Sequence, residues 1–230
     1  MKLVVLAGAL ATMFSLIGTP LLINLLRKRG IAQAIRESTE DVNYPAHDSK
    51  RGTPAMGGVA IVGSVVLAYF LAHLIMVRPP TASGLLAIYL MVAMSLVGLA
   101  DDYLKIFKQR STGIRARTKL LGQAVAALSF GYLAMQFPDE GGNVPVSSAI
   151  SWVRDTDWIL PSALVLLWIW FLVTGITNGV NLTDGLDGLA SGISGITGMA
   201  LGILAYVSGR VDFSNFLDIL YLNLEDYQPL

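Results

Sequence analysis

Cysteine is absent from the 230 residues, which excludes a disulfide, a thiolate nucleophile and any Cys-ligated metal. Histidine is nearly absent: His47 and His73 stand alone, far apart, so no histidine-rich run exists. Charge is scarce as well. Asp, Glu, Lys and Arg make up 14% of the chain against 54% apolar residues, where a soluble domain carries about 25% charged residues. What remains is a polytopic membrane protein. The formal net charge is zero, but that sum conceals a very uneven distribution.

The chain opens Met1-Lys2 and runs apolar to Leu26 with Pro20 inside and no A-x-A cleavage site, which reads as a retained transmembrane helix rather than a signal peptide. Stretches long enough to cross about 30 Å of hydrocarbon fall at 3–26, 56–77, 84–104, 119–137, 159–180 and 188–208. The expected architecture is therefore all-α: one transmembrane domain over 1–230, an integral helical bundle of about six spans. Six basic residues lie between the first two spans (Arg27, Lys28, Arg29, Arg36, Lys50, Arg51) and six more follow the third (Lys105, Lys108, Arg110, Arg115, Arg117, Lys119). The stretches 78–83 and 138–158 hold one each, Arg78 and Arg154. By the positive-inside rule the basic loops 27–55 and 105–118 are cytoplasmic and the N-terminus lies outside. Counting spans forward places 181–187 on the cytoplasmic face too. Phe137 to Pro145 reads as a turn-rich outer loop, and the tail from Arg210 has no clear period.

All three chemistry-bearing strings thus share one face. The first is Pro45-Ala-His-Asp-Ser-Lys-Arg-Gly-Thr-Pro-Ala-Met-Gly-Gly58. Its Gly and Pro permit a tight turn with exposed backbone, and Lys50 and Arg51 bring positive charge for an anionic substrate. A plainer reading makes it a topogenic basic cluster with His47 at the surface.

The second is Gly98-Leu-Ala-Asp-Asp-Tyr-Leu-Lys105, which places Asp101 and Asp102 where an apolar helix leaves the membrane. Two adjacent anions there are costly unless a cation or a phosphate-bound metal meets them. Successive helical residues are rotated by about 100°, so the two carboxylates point apart and serve separate purposes, such as metal coordination and a base near the reacting atoms. The plainer reading is pairing with Lys105 or Arg115 at the interface.

The third is Thr177-Asn-Gly-Val-Asn-Leu-Thr-Asp-Gly-Leu-Asp-Gly-Leu189. Asn178, Asn181, Asp184 and Asp187 recur every three residues, keeping polar groups roughly on one side of a helix that the Asp-Gly steps then break near Asp184. Such a row of oxygens suits a sugar, a nucleoside base or a metal; the spacing of a calcium loop is missing.

Together the strings His47-x-x-Lys50-x-Gly-Thr-Pro-x-Met-Gly-Gly58, Asp101-Asp-Tyr-Leu-Lys105 with Arg117-Thr-Lys-x-x-Gly-Gln123, and Asn178-x-x-Asn-Leu-Thr-Asp-Gly-Leu-Asp-Gly-Leu189 resemble the phospho-N-acetylmuramoyl-pentapeptide transferases, within the polyprenyl-phosphate N-acetylhexosamine-1-phosphate transferases. The resemblance implies a Mg²⁺-dependent enzyme of the bacterial inner membrane, active at its cytoplasmic face. It would move phospho-MurNAc-pentapeptide from UDP-MurNAc-pentapeptide to undecaprenyl phosphate, releasing UMP and forming lipid I for the cell wall. It further implies catalytic roles for Asp101 and Asp102, substrate binding by Lys50, Thr53, His47, Asn178, Asn181, Asp184 and Asp187, and a metal site that includes Asp184 and Asp187. The expected partners are those two substrates and the bilayer, with no nucleic acid. Close packing through Gly192-Ile-Ser-Gly-Ile-Thr-Gly198 would permit a homodimer.

Two departures stand out. Ala55 occupies a position where the family commonly has Thr or Ser. The resemblance also leads one to expect further spans, a Gly-Asp-x-Gly-Ser loop and a histidine-rich loop after these residues, so the chain is expected to be partial and inactive alone. The alternatives are a UDP-GlcNAc or related sugar-1-phosphate transferase, a non-catalytic membrane remnant, or a transporter. A transporter would place charges near mid-membrane and show an internal repeat, and neither is seen.

Overall fold

The computed structural model describes residues 2–29, 56–108, 113–138, 144–151, 155–184, 188–217 and 219. They form two compact units, Met1–Pro138 and Asp139–Leu230.

The first unit holds four helices: α1 Lys2–Lys28, α2 Gly58–Ile75, α3 Ala82–Phe107 and α4 Ala116–Ala134. They pack in sequence, α1 on α2, α2 on α3 and α3 on α4. Small residues make the contacts. Ala68 and Ala72, one turn apart on α2, are completely buried, as are Ala127 and Ala134 on α4. Gly18 of α1 lies against Ser64 of α2, and a side chain at Gly122 of α4 would stand 3.1 Å from a Val97 methyl of α3. Large apolar side chains point the other way: Leu16, Leu21, Leu67 and Leu74 are all exposed. A soluble protein would bury them. Lipid tails are as apolar as Leu, so membrane helices associate through small residues and leave their bulky ones to the bilayer. Between α3 and α4, Tyr89 Oη and Ser129 Oγ share a hydrogen bond of 2.7 Å.

The second unit contains a two-stranded antiparallel hairpin, β1 Ala149–Ser151 and β2 Asp155–Ile159, followed by α5 Ser162–Thr183, α6 Leu189–Ser208 and α7 Val211–Leu217. Ala149 pairs with Ile159 and Ser151 with Asp155, with an irregularity between the two pairs. The Thr156 hydroxyl donates to the Ile150 carbonyl at 2.8 Å, and Leu160 N–H to Ser148 O at 2.8 Å. In the short α7, Phe213 and Tyr206 of α6 both meet the Arg210 guanidinium, at 5.6 and 5.7 Å from the ring centroids.

Five helices are long and apolar enough to cross a membrane among the described residues: α1, α2, α3, α5 and α6. The protein is thus an all-α polytopic membrane protein. The expected fourth span, 119–137, is the helix α4, but its first turn carries Arg117 and Lys119, and Gln123 follows. Alanine and glycine fill much of the remainder, which lowers its hydropathy below that of the five helices long and apolar enough to cross a membrane, so α4 is not among them. The expected start of the fifth span at 159 is corrected to Ser162. Thr156, Trp158 and Ile159 are β-formers, and Pro161 closes the strand and opens the helix. The tail read as aperiodic begins with α7.

Candidate active site

The apolar run of α3 ends at Ala100, and its last two turns turn polar. Asp101 and Lys105 are four residues apart on one face, and Lys105 Nζ lies 2.6 Å from Asp101 Oδ2. Asp101 is buried. Its other oxygen, Oδ1, accepts the backbone N–H of Ile114 at 2.7 Å. A buried carboxylate without such partners would be strongly destabilising. Lys119, in the first turn of α4, adds a further positive charge nearby.

Asp102 is rotated away from this cluster, as expected of adjacent helical residues. Its side chain is 38% exposed against 12% for Asp101, and its Oδ1 is 4.0 Å from Lys105 Nζ. The backbone amide of Met56 faces it. Met56 has φ 69, a left-handed conformation that ordinary side chains seldom adopt. Strain of this kind persists where surrounding structure fixes it, and it concentrates at functional sites. Met56 lies near the end of the first sequence string, two residues before α2 begins at Gly58, so the fold brings the end of that string to the second one at Asp102.

Gly113 makes the return from α3 to α4 possible. Its φ is +63, and a Cβ there would collide with Asp101 Oδ1 and lie 2.8 Å from Asp101 Cγ and 2.9 Å from Lys105 Cε. No other residue type fits without moving the carboxylate.

In the second unit, Asn178 lies on α5 and donates its Nδ2 to the Thr174 carbonyl at 2.9 Å. Asn181 is exposed one turn on. Asp184 is exposed at the C-cap of α5, where the helix breaks as its Asp-Gly step suggests. His47, Lys50, Thr53 and Asp187 lie outside the described residues. Among the described residues no group of three or more His, Asp or Glu side chains could hold a metal.

Sequence reasoning named Asp101, Asp102 and Lys105 but missed Gly113, Ile114 and the Met56 amide. A lone glycine between Thr112 and Ile114 is a weak turn signal, and a backbone N–H carries no signature in sequence at all.

Residues 84–224 match the glycosyl transferase family 4 model, and residues 50–62 match phospho-N-acetylmuramoyl-pentapeptide-transferase signature 1. Relatives include the phospho-N-acetylmuramoyl-pentapeptide-transferases of Streptomyces avermitilis, 46% identical over 192 residues (84% of this chain, 53% of that protein), and Streptomyces coelicolor, 47% identical over 201 residues (84% and 54%). That of Frankia casuarinae is 45% identical over 206 residues (90% and 57%). The chain spans about half the length of these relatives. The chain belongs to glycosyl transferase family 4, and within it to the branch that carries the phospho-N-acetylmuramoyl-pentapeptide-transferase signature.

Proposed function

We propose that this chain supplies part of a membrane phosphoglycosyl transferase that moves phospho-MurNAc-pentapeptide from UDP-MurNAc-pentapeptide to undecaprenyl phosphate. The observation that carries the reading is the family match over residues 84–224, with the Asp101, Asp102 and Lys105 cluster lying inside it. In this reading a phosphate oxygen of the lipid attacks the sugar-bearing phosphorus of the donor. The bond to the bridging oxygen breaks, and UMP leaves with its electron pair. The product is lipid I. Direct attack needs no covalent enzyme intermediate.

Phosphoryl transfer of this kind asks the protein mainly to position reactants and neutralise oxygen charge. Asp101 and Asp102 form the catalytic centre at the end of α3, with Lys105 beside both carboxylates. Lys50, Thr53 and His47 bind substrate on the first string. Asn178, Asn181, Asp184 and Asp187 bind the nucleotide side. Mg²⁺ is commonly held by one or two carboxylates together with substrate phosphate and water. The solvent-exposed carboxylate of Asp184 at a helix C-terminus fits one such ligand, with Asp187 as the second. When bound, the ion would neutralise charge on the donor diphosphate. The site faces the cytoplasm of a bacterial inner membrane, and a second copy of the chain packs against the glycine-rich α6.

The test is UMP release from UDP-MurNAc-pentapeptide and undecaprenyl phosphate with Mg²⁺, for the chain alone and extended to the length of its relatives. Release by the extended form, dependent on both substrates, is expected. Turnover of UDP-GlcNAc in place of the muramoyl donor would reassign the chain to another sugar-1-phosphate transferase. No release from either donor would overturn the reading.

A further inference from the structure

From Asp139 to Leu230 the sequence holds only two basic residues, Arg154 and Arg210. Arg210 follows α6 at the end opposite Gly188, and the positive-inside rule assigns that end to the outer face, where cations are uncommon. The fold gives this cation a built setting. Its guanidinium carbon lies 5.7 Å from the centre of the Tyr206 ring and 5.6 Å from that of Phe213, and Nη1 donates to the Tyr206 hydroxyl at 3.2 Å. It makes no ion pair among the described residues. Asp212 is exposed, and residues two apart on a helix do not face each other. The two rings therefore hold a planar fork in place while most of its N–H donors stay open.

The α7 helix that follows is two-faced. Phe213, Phe216 and Leu217, spaced i, i+3 and i+4, share one side and are exposed, Phe216 by 83%. Asp212 and Asn215 lie on another side, and Ser214 is the one buried residue of α7, its hydroxyl on the Val211 carbonyl at 3.1 Å. Only Gly209 and Arg210 separate this helix from α6, which is long and apolar enough to span a membrane and has no buried residue. An exposed apolar face that starts where such a span ends has the interfacial layer of the bilayer beside it.

We infer that α7 and Arg210 form a lipid-binding foot at the outer end of α6: the Phe213, Phe216 and Leu217 face enters the bilayer interface, and the Arg210 guanidinium binds the phosphate of an anionic phospholipid. The foot goes beyond the transferase reading and does not depend on it. Two turns of helix bury too little apolar surface to hold a membrane unaided, but α6 tethers them to it, so docking costs no separate association. Guanidinium donors match phosphate oxygens, and a charge-assisted bond of this kind gains strength in the poorly hydrated headgroup layer. Phe213 links the two functions, since one ring both holds Arg210 and belongs to the apolar face.

The test places the 230-residue chain in nanodiscs of phosphatidylcholine and phosphatidylglycerol, with a single cysteine introduced as Phe216→Cys or Asn215→Cys. A spin label at 216 is expected to collide with dissolved oxygen far more than with a water-soluble nickel chelate, and a label at 215 to show the reverse preference. A 216 label open to the chelate would overturn the docking. So would one shielded from both reagents, which would mean that protein, such as a second copy of the chain, covers the face. For the headgroup, a fluorophore at 216 is quenched by phosphatidylglycerol or phosphatidylcholine carrying a nitroxide on the acyl chain. At equal mole fraction the anionic lipid is expected to be enriched about fivefold, the gain that one arginine near an anionic surface supports. Arg210→Gln is expected to abolish the enrichment while oxygen access at 216 persists, and Arg210→Lys, which keeps the charge without the flat fork, to retain part of it. Equal quenching by both lipids, enrichment that survives Arg210→Gln, or enrichment reversed by millimolar inorganic phosphate would overturn the assignment of Arg210 to a lipid headgroup.

Discussion

Tyr89 on α3 and Ser129 on α4 are joined by a 2.7 Å hydrogen bond on an exposed face, and the Ser129 hydroxyl also donates to the Val125 carbonyl at 2.6 Å. Tyr89 is therefore the donor across the pair. The same two helices meet again at the membrane boundary, where Asp101 of α3 accepts the Ile114 N–H just before α4. One helix pair is thus pinned at two depths by polar groups and packed between them through Gly122 on Val97.

The Tyr89 and Ser129 pair is expected to contribute little on its own. Tyr89→Phe, Ser129→Ala and the double variant should give a coupling of about 0.6 kcal/mol in reversible unfolding from bicelles, in keeping with interhelical hydrogen bonds in membrane proteins. A coupling near zero would mean that lipid or another group replaces the bond.

Val77 follows α2 with φ 51 and an exposed side chain, which is an unfavourable conformation for a β-branched residue. The turn is held by the Arg78 N–H on the His73 carbonyl at 3.0 Å and by His73 Nδ1, which donates to the Arg78 carbonyl at 2.9 Å. Val77→Gly should raise stability by about 1 kcal/mol, because the strain relieved exceeds the entropy that glycine adds to the unfolded chain. Thermal unfolding in detergent reads it, and a lowered midpoint would contradict the strain assignment.

Gly84, in the first turn of α3, lies against the hydroxyl end of Tyr69. A Cβ there would be 3.1 Å from both Tyr69 Cζ and Thr81 Oγ1. Gly84→Ala is expected to cost about 1–3 kcal/mol by forcing α2 and α3 apart. Restoring stability with the compensating Tyr69→Phe, which removes the hydroxyl in the way, would attribute the cost to this contact; no rescue would place it elsewhere.

The absence of cysteine makes the topology directly measurable. Ser147→Cys, just before the hairpin, is expected to react with a membrane-impermeant maleimide from outside the cell, and Ser111→Cys only after the membrane is permeabilised. This pair also decides whether α4, the least apolar of the long helices, crosses the bilayer. Labelling of both from one side would mean that it does not, and the faces assigned to α5 and α6 would exchange.

Much of this protein is legible in its order of residues. Long apolar runs fix where helices lie, because in lipid an unpaired backbone group is too costly for any other local structure, and α2, α3 and α6 begin and end within a few residues of where their apolar runs do. The breaks fail where propensity changes class: a run of β-formers ending in Trp158 and Ile159 is as apolar as a helix start, and only pairing with Ala149 shows it to be a strand. The candidate site divides the same way. Sequence alone determined that Asp101 and Asp102 are adjacent, expensive and differently aimed, since that follows from one peptide bond and the helical twist. Which of them is enclosed was decided only by tertiary structure. The deciding partners are a backbone N–H at Ile114, delivered by the positive φ of Gly113, and a backbone amide at Met56. Every residue type carries such an N–H except proline, so its identity holds no information until the chain has folded back.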